Sequence, residues 1–179
     1  MRIRSSEWKI YAQALKEELV GQRMSKIIHY DTGVFLLSLS KSGTLVIAIS
    51  GEQPRVYASS FPVSASSLNS TLATAMRKNL SGAKIEDIVC LRDDSILDFS
   101  LLGTNDIFEP VALHLVLELI PFKGNIILLD EGRKVLASLY SGSLDSPRPL
   151  FRGLLYEPPA KPIAPSSPVP LTPFETMRE

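Results

Sequence analysis

Five places in this chain of 179 residues carry side chains that could do chemistry. Met76-Arg77-Lys78 places two cations after an apolar residue near a predicted helix end. A guanidinium and an ammonium there can neutralise backbone phosphates. Cations are also favourable at any helix C-terminus, and residue chemistry alone favours a solvated helix end for the trio. Asp93-Asp94 puts paired carboxylates, the chemistry of acid–base work or metal binding, in a predicted hairpin turn, followed by Ser95. Aspartate is also a favoured turn residue because it hydrogen-bonds its own backbone, and no neighbour in sequence completes a metal site. His114 and Glu118 fall on one face of a strand, two alternations apart, and are expected to form a polar pair on the sheet surface. Gly124-Asn125 lies between two apolar strands. It reads as a hairpin turn with a positive φ at the glycine, since no helix follows to make a phosphate cradle. Cys90, between Val89 and Leu91, reads as small core filling. No G-x-S-x-G elbow is present.

Composition narrows the classes. Hydrophobic residues make up 45% and charged residues 21%, enough for one folded domain. The formal net charge is zero, so any nucleic-acid contact must come from a local patch. Two histidines and one cysteine are too few for a typical structural zinc site, and no cofactor is implied. A lone cysteine forms no internal disulfide and suits a reducing compartment. No apolar run approaches the length of a membrane span and no signal core develops, so the cytoplasm is the expected location and a membrane is not an expected partner.

The elements that must position these residues follow from periodicity. Trp8, Tyr11, Ala12, Leu15 and Leu19 form one helical stripe, capped by Ser5 or Ser6 and stopped at Gly21. Strands are predicted at 23–30, 34–40 and 44–50, with a short fourth at 55–58. Phe35, Leu37, Leu39, Leu45, Ile47 and Ile49 point to one side. A second helix, capped by Ser66 or Ser67, should bury Leu68, Leu72, Ala75, Met76 and Asn79 and end near Gly82. The second half is again strand-rich: 84–91, 95–101, a turn at 103–106, the clearest strand at 111–119, then 125–130 and 134–140. Short connections demand antiparallel neighbours. The predicted class is α+β, an antiparallel β-sandwich or barrel-like sheet of hairpins with two main helices. The domain is expected to span 1–157. Residues 158–179 read as a tail or linker, because seven prolines fall between Pro158 and Pro173.

Several motifs recur in an order that resembles the N-terminal NFACT domain. That domain begins a family of ribosome-associated quality-control factors, some of which also bear the older name of fibronectin-binding proteins. The motifs are Leu15, Leu19, Gly21 and Arg23; then Met76, Arg77, Lys78, Gly82 and Ile85; then Glu118, Gly124 and Asn125 to Leu128; finally Gly153, Tyr156, Pro158 and Pro159. The resemblance implies a non-catalytic module contacting the large ribosomal subunit or tRNA through Arg23, Arg77, Lys78, Asp94 and Ser95. Active members carry an Asp-Arg pair where this chain has Asp94-Ser95, and an acidic residue near Arg4, which puts C-terminal tailing of stalled nascent chains in doubt. Longer members continue into further domains, so the chain is expected to be a fragment or a short relative. The alternative partner suggested by the older family name is fibronectin or fibrinogen. The fold also resembles the N-terminal domain of formamidopyrimidine-type DNA glycosylases. Those act through an N-terminal proline, whereas Arg2 and Ile3 stand here, so no DNA-lesion substrate is expected.

Overall fold

The computed structural model describes residues 5–41, 43–60, 66–91, 95–143 and 145–159. The helix α1 (Ser5–Leu19) buries Trp8, Ala12, Leu15 and Leu19, the predicted stripe. The cap expected at Ser5 or Ser6 rests on side chains outside the described residues. Trp8 meets Tyr11 edge-on at 5.6 Å, and the Tyr11 hydroxyl donates to the Val56 carbonyl. Gly21, at φ +94°, turns the chain out of the helix, and its N–H donates to Ile85 O at 2.8 Å.

Two antiparallel meanders follow. The first is β1 (Met24–Asp31), β2 (Val34–Leu39), β3 (Thr44–Ala48) and β4 (Arg55–Ser59), paired in that order. After α2 (Thr71–Leu80) comes a five-stranded sheet of β5 (Lys84–Cys90), β6 (Ile96–Thr104), β7 (Pro110–Glu118), β8 (Asn125–Leu129) and β9 (Val135–Ser138), also in chain order. The inward residues of both sheets share one core: Phe35, Leu37, Leu45 and Ile47 against Phe99, Leu115, Leu117, Ile126 and Leu128. Each such side chain contributes about 1.5–3 kcal/mol by leaving water. The sheets join at one corner, where Met24 N–H donates to Ala83 O and Ile85 N–H to Gln22 O, both at 2.9 Å. They do not close into a barrel. Helix α1 packs along β5, and α2 lies on β1 and the β6–β9 side.

Three local expectations change. The cap of α2 is Ser70, whose hydroxyl accepts from Ala73 N–H at 3.1 Å, and not Ser66 or Ser67. Residues 66–70 are drawn out along β1 instead, with Leu68 N–H on His29 O at 2.8 Å and His29 N–H on Ser67 Oγ at 3.0 Å. Leu68 is therefore 48% exposed, and Ala73 and Leu80 take the inner face with Leu72 and Met76. His29 stacks on Phe35 and sets Nδ1 2.9 Å from Ser70 Oγ; its burial holds the imidazole pKa below the usual value. The predicted turn at 103–106 shifts outward, because β6 runs to Thr104 and Asn105 Oδ1 organises the reversal by accepting from Ile107 and Glu109 N–H. The Asp93-Asp94 turn and residues 160–179 lie outside the described residues.

Strand β7 follows the predicted alternation on its inner face, with Leu113, Leu115 and Leu117 buried. Leu115→Asp is expected to abolish cooperative folding, since an unpaired carboxylate would sit between the sheets. A circular-dichroism melt with a normal midpoint would show that this facing is wrong.

Candidate functional site

The outer face of the five-stranded sheet carries charge where solvent was expected. Alternation puts Ile96 and Asp98 of β6, His114, Val116 and Glu118 of β7, and Ile127 and Leu129 of β8 on that side. Its end is not open to water. Residues 150–156 cross over it, and Leu150 and Tyr156 join Ile96, Val116, Ile127, Leu129 and Val135 in a second apolar cluster. This strap is stitched to the start of β9: Val135 N–H donates to Leu154 O, Gly153 N–H to Val135 O and Tyr156 N–H to Arg133 O.

Burial under the strap forces the two carboxylates to find partners. Glu118 is 1% exposed. Arg148 reaches it with both terminal nitrogens at 2.8 Å, and the Tyr156 hydroxyl donates to Oε2 at 2.7 Å. Asp98, 4% exposed, lies 3.0 Å from His114 Nδ1 and accepts from Arg133 Nη1 at 3.0 Å. The guanidinium carbons of Arg133 and Arg148 stand 6.0 and 5.9 Å from the Tyr156 ring centroid. Burial and the Glu118 charge push the Tyr156 phenol far above its ordinary pKa. Burial works against the charge on Arg148, but the Glu118 carboxylate outweighs it and raises the pKa. His114 and Glu118 thus share a face but are not the surface pair expected of them; each is drawn to a partner from another element.

Beside Glu118, a pocket of about 410 Å³ opens between the β3–β4 turn and the β7–β8 turn, lined by Ser50, Gly51, Phe122, Lys123, Tyr140 and Arg148 among others. Phe122 N–H donates to Gly51 O at 2.8 Å, and Phe122 itself takes φ +61°. That strained backbone turns its ring outward, 75% exposed. Tyr140 is 51% exposed, and Asn125 fixes its backbone by donating to Tyr140 O at 2.8 Å and accepting from Tyr140 N–H at 3.0 Å. Gly124 serves a different purpose from the one its turn suggested. Its φ is not left-handed; a Cβ there would stand 2.3 Å from Ile49 O, so glycine is needed for the close approach of the two sheets.

The sequence-derived set does not converge. Arg23 is exposed and donates from Nη1 to Gly82 O at 2.9 Å, tying β1 to the exit of α2. Arg77 is turned inward: Nε donates to Ile27 O at 3.2 Å and Nη2 to Ser67 Oγ. Lys78 points to solvent on the other side of α2. Ser95 is half-buried, and its carbonyl accepts from Leu119 N–H at 2.8 Å, one residue from the paired Ile96 and Glu118. Asp94 lies outside the described residues. Cys90 packs partly buried against the core. Among the described residues, no group of three His, Cys, Asp or Glu side chains could hold a metal ion.

Residues 9–179 match the family described as NFACT N-terminal and middle domains. The chain belongs to the NFACT family. It is 27% identical over 168 residues to the Rqc2 homolog RqcH of Streptococcus pneumoniae serotype 2, covering 90% of this chain and 29% of that protein. A Drosophila melanogaster protein named ribosome quality control complex subunit NEMF homolog is 28% identical over 116 residues, 64% of this chain and 11% of its own. The solved N-terminal part of the fibronectin/fibrinogen-binding protein from Streptococcus suis superposes with a TM-score of 0.77 at 26% identity, covering 87% of this chain and 61% of that one. This NFACT chain thus spans about three-tenths of the length of the curated relative from S. pneumoniae. Two motif residues far apart in sequence, Glu118 and Tyr156, prove to be in direct contact. Asp98, Arg133 and Arg148 were not picked out by motif. Asp98, an acid between Leu97 and Phe99 in an apolar strand, was the signal available.

Three outcomes are expected. Glu118→Gln should cost about 3 kcal/mol by leaving the half-buried Arg148 without its counter-charge. The Tyr156 phenol stays protonated when folded but ionises above its ordinary pKa of about 10 once unfolded, so stability falls as pH rises past that point. Tyr156→Phe should remove that part of the alkaline loss in urea titrations. Arg77→Ala should lower urea stability by roughly 1 kcal/mol, while Lys78→Ala leaves it nearly unchanged. Equal effects at 77 and 78 would contradict the inward placement of Arg77.

Proposed function

We propose that this chain is the non-catalytic, RNA-contacting N-terminal unit of a cytoplasmic ribosome-associated quality-control factor, touching the large subunit or its bound tRNA. The observation that carries this is the pocket beside Glu118. It offers two exposed rings, Phe122 and Tyr140, next to the exposed cation Lys123. Aromatic faces stack on unpaired bases, and cations neutralise the adjoining phosphates. Family membership supports the same partner, since one relative is named a ribosome quality control complex subunit.

The ionisable groups nearby favour scaffolding over bond breaking. Glu118 is held by Arg148 and Tyr156, and Asp98 by Arg133 and His114, so both buried carboxylates are already partnered. A general acid or base needs an unsatisfied group within reach of substrate. The pair Asp94-Ser95 lacks the arginine of tailing members, so the contact proposed here does not depend on it.

Phe122→Ala combined with Lys123→Glu should weaken co-sedimentation with large ribosomal subunits at low salt about ten-fold, the loss of one stacked base and one phosphate contact. Binding equal to wild type would remove the pocket from the interface. Capture of fibronectin by wild type without ribosome binding would replace this function with the one in the S. suis protein's name.

A further inference from the structure

The most exposed large apolar side chain among the described residues is Phe108, 87% exposed at the reversal between β6 and β7, with Ile107 beside it at 69%. The tip of this hairpin has a fixed backbone. Asn105 Oδ1 accepts from Ile107 N–H at 3.0 Å and from Glu109 N–H at 2.9 Å, and Asn105 O accepts from Phe108 N–H at 3.0 Å. Phe108 is held in the left-handed region at φ +62°, unfavourable for an aromatic residue. A tip ordered in advance loses little conformational entropy on docking. Its flanks are acidic: Asp106 and Glu109 are both exposed, and no Lys or Arg occurs from residue 95 to residue 122. Carboxylates on both sides of the ring repel phosphates, so the tip is not suited to RNA.

A groove of about 890 Å³ between α2 and β9 carries the complement. Its lining combines the half-buried apolar side chains Ala75, Leu136, Leu139 and Phe151 with the exposed cations Lys78, from α2, and Arg152, from the strap. No residue lining it bears a carboxylate. The apolar part accepts a ring, and the cations accept carboxylates on either side of that ring. Groove and hairpin also adjoin. At the base of the hairpin, a Cβ on Gly103 would stand 3.0 Å from the carbonyl of Asn79, which lines the groove. A chain's own tip is not seated there, since Ile107 and Phe108 face solvent. With tip and groove on one flank, two copies can exchange tips about a two-fold axis, so that each contact is made twice.

We infer that this chain forms a two-fold dimer in which the Ile107-Phe108 tip of each copy seats in the groove between α2 and β9 of the other. Asp106 and Glu109 then meet Lys78 and Arg152 of the second copy, and Phe108 covers Leu136, Leu139 and Phe151. A contact built from one hairpin tip and one groove, even made twice, belongs to the transient class of interface and not the obligate one. It goes beyond the proposed RNA contact and uses neither Phe122 nor Lys123. It also divides the Arg77-Lys78 pair: Lys78 faces the second copy, and Arg77 holds the helix in place.

The test is sedimentation equilibrium of the full chain without nucleic acid. The weight-average mass should climb with concentration from one copy to two and level there. Asp106→Lys with Glu109→Lys should weaken association about ten-fold or more, and so should Lys78→Glu with Arg152→Glu, because each sets like charges across both contacts. An equal mixture of these two variants should restore the dimer: the reversed tip then meets the reversed groove, and the native tip the native groove. Phe108→Ser should weaken association about ten-fold or more with every charge kept. Wild type that stays monomeric up to roughly 1 mM overturns the inference and leaves the groove to another occupant. A mixture no more associated than its components overturns it too, as does a mass that keeps growing past two copies. Association insensitive to both charge reversals places the dimer contact elsewhere and has the same effect. The ribosomal contact is judged separately, by co-sedimentation of the Phe122 and Lys123 variant, so either claim can fail while the other stands.

Discussion

A carboxylate buried at Glu118 governs the half of the molecule that carries the Phe122 pocket. Left alone there it would be costly, so its position demands Arg148 at two points and the Tyr156 hydroxyl at a third. Satisfying it pins the strap across the outer face of the large sheet. Leu150 and Tyr156 then cover Ile127, Leu129 and Val116, which explains why β8 is buried along its whole length. With the strap fixed, Arg148 is held at the mouth of one pocket and Phe151 and Arg152 at the side of another. Asp98 and Arg133 brace the same segment through the ring of Tyr156.

The second constraint is steric. The turn between β7 and β8 passes so near the Ile49 carbonyl that only a residue without a Cβ fits at position 124. Phe122 takes the left-handed backbone instead and hydrogen-bonds to Gly51. A conformation unusual for an aromatic residue is held where it exposes the ring, a placement suited to stacking more than to packing. The two sheets are thereby joined at this end as well as at the corner where β1 meets β5.

Charge in this chain is distributed by partner and not by amount. With no net charge, long-range attraction to any polyanion is weak, and such a contact would have to come from cations that remain unspent. Arg23, Arg77, Arg133 and Arg148 are engaged within the fold. Lys78, Lys123 and Arg152 line the concave surfaces. Family motifs therefore mix two kinds of residue: Met76, Arg77, Glu118 and Tyr156 build the scaffold, while Lys78 faces outward.

Sequence by itself determined the element order, the two antiparallel meanders, the inward residues of the strands and the family. Those properties follow from local periodicity, turn chemistry and motif spacing, which are written along the chain. It also marked Gly124, Arg77, His114 and Glu118 as special but misjudged what they do. Ser70 over Ser67 as the helix cap, the inward turn of Arg77, and the burial of Glu118 under a strap 30 residues later each depend on which segments meet in space. Only tertiary structure decided these, because a side chain's burial and its partner are fixed by distant residues whose separation in sequence carries no periodic signal.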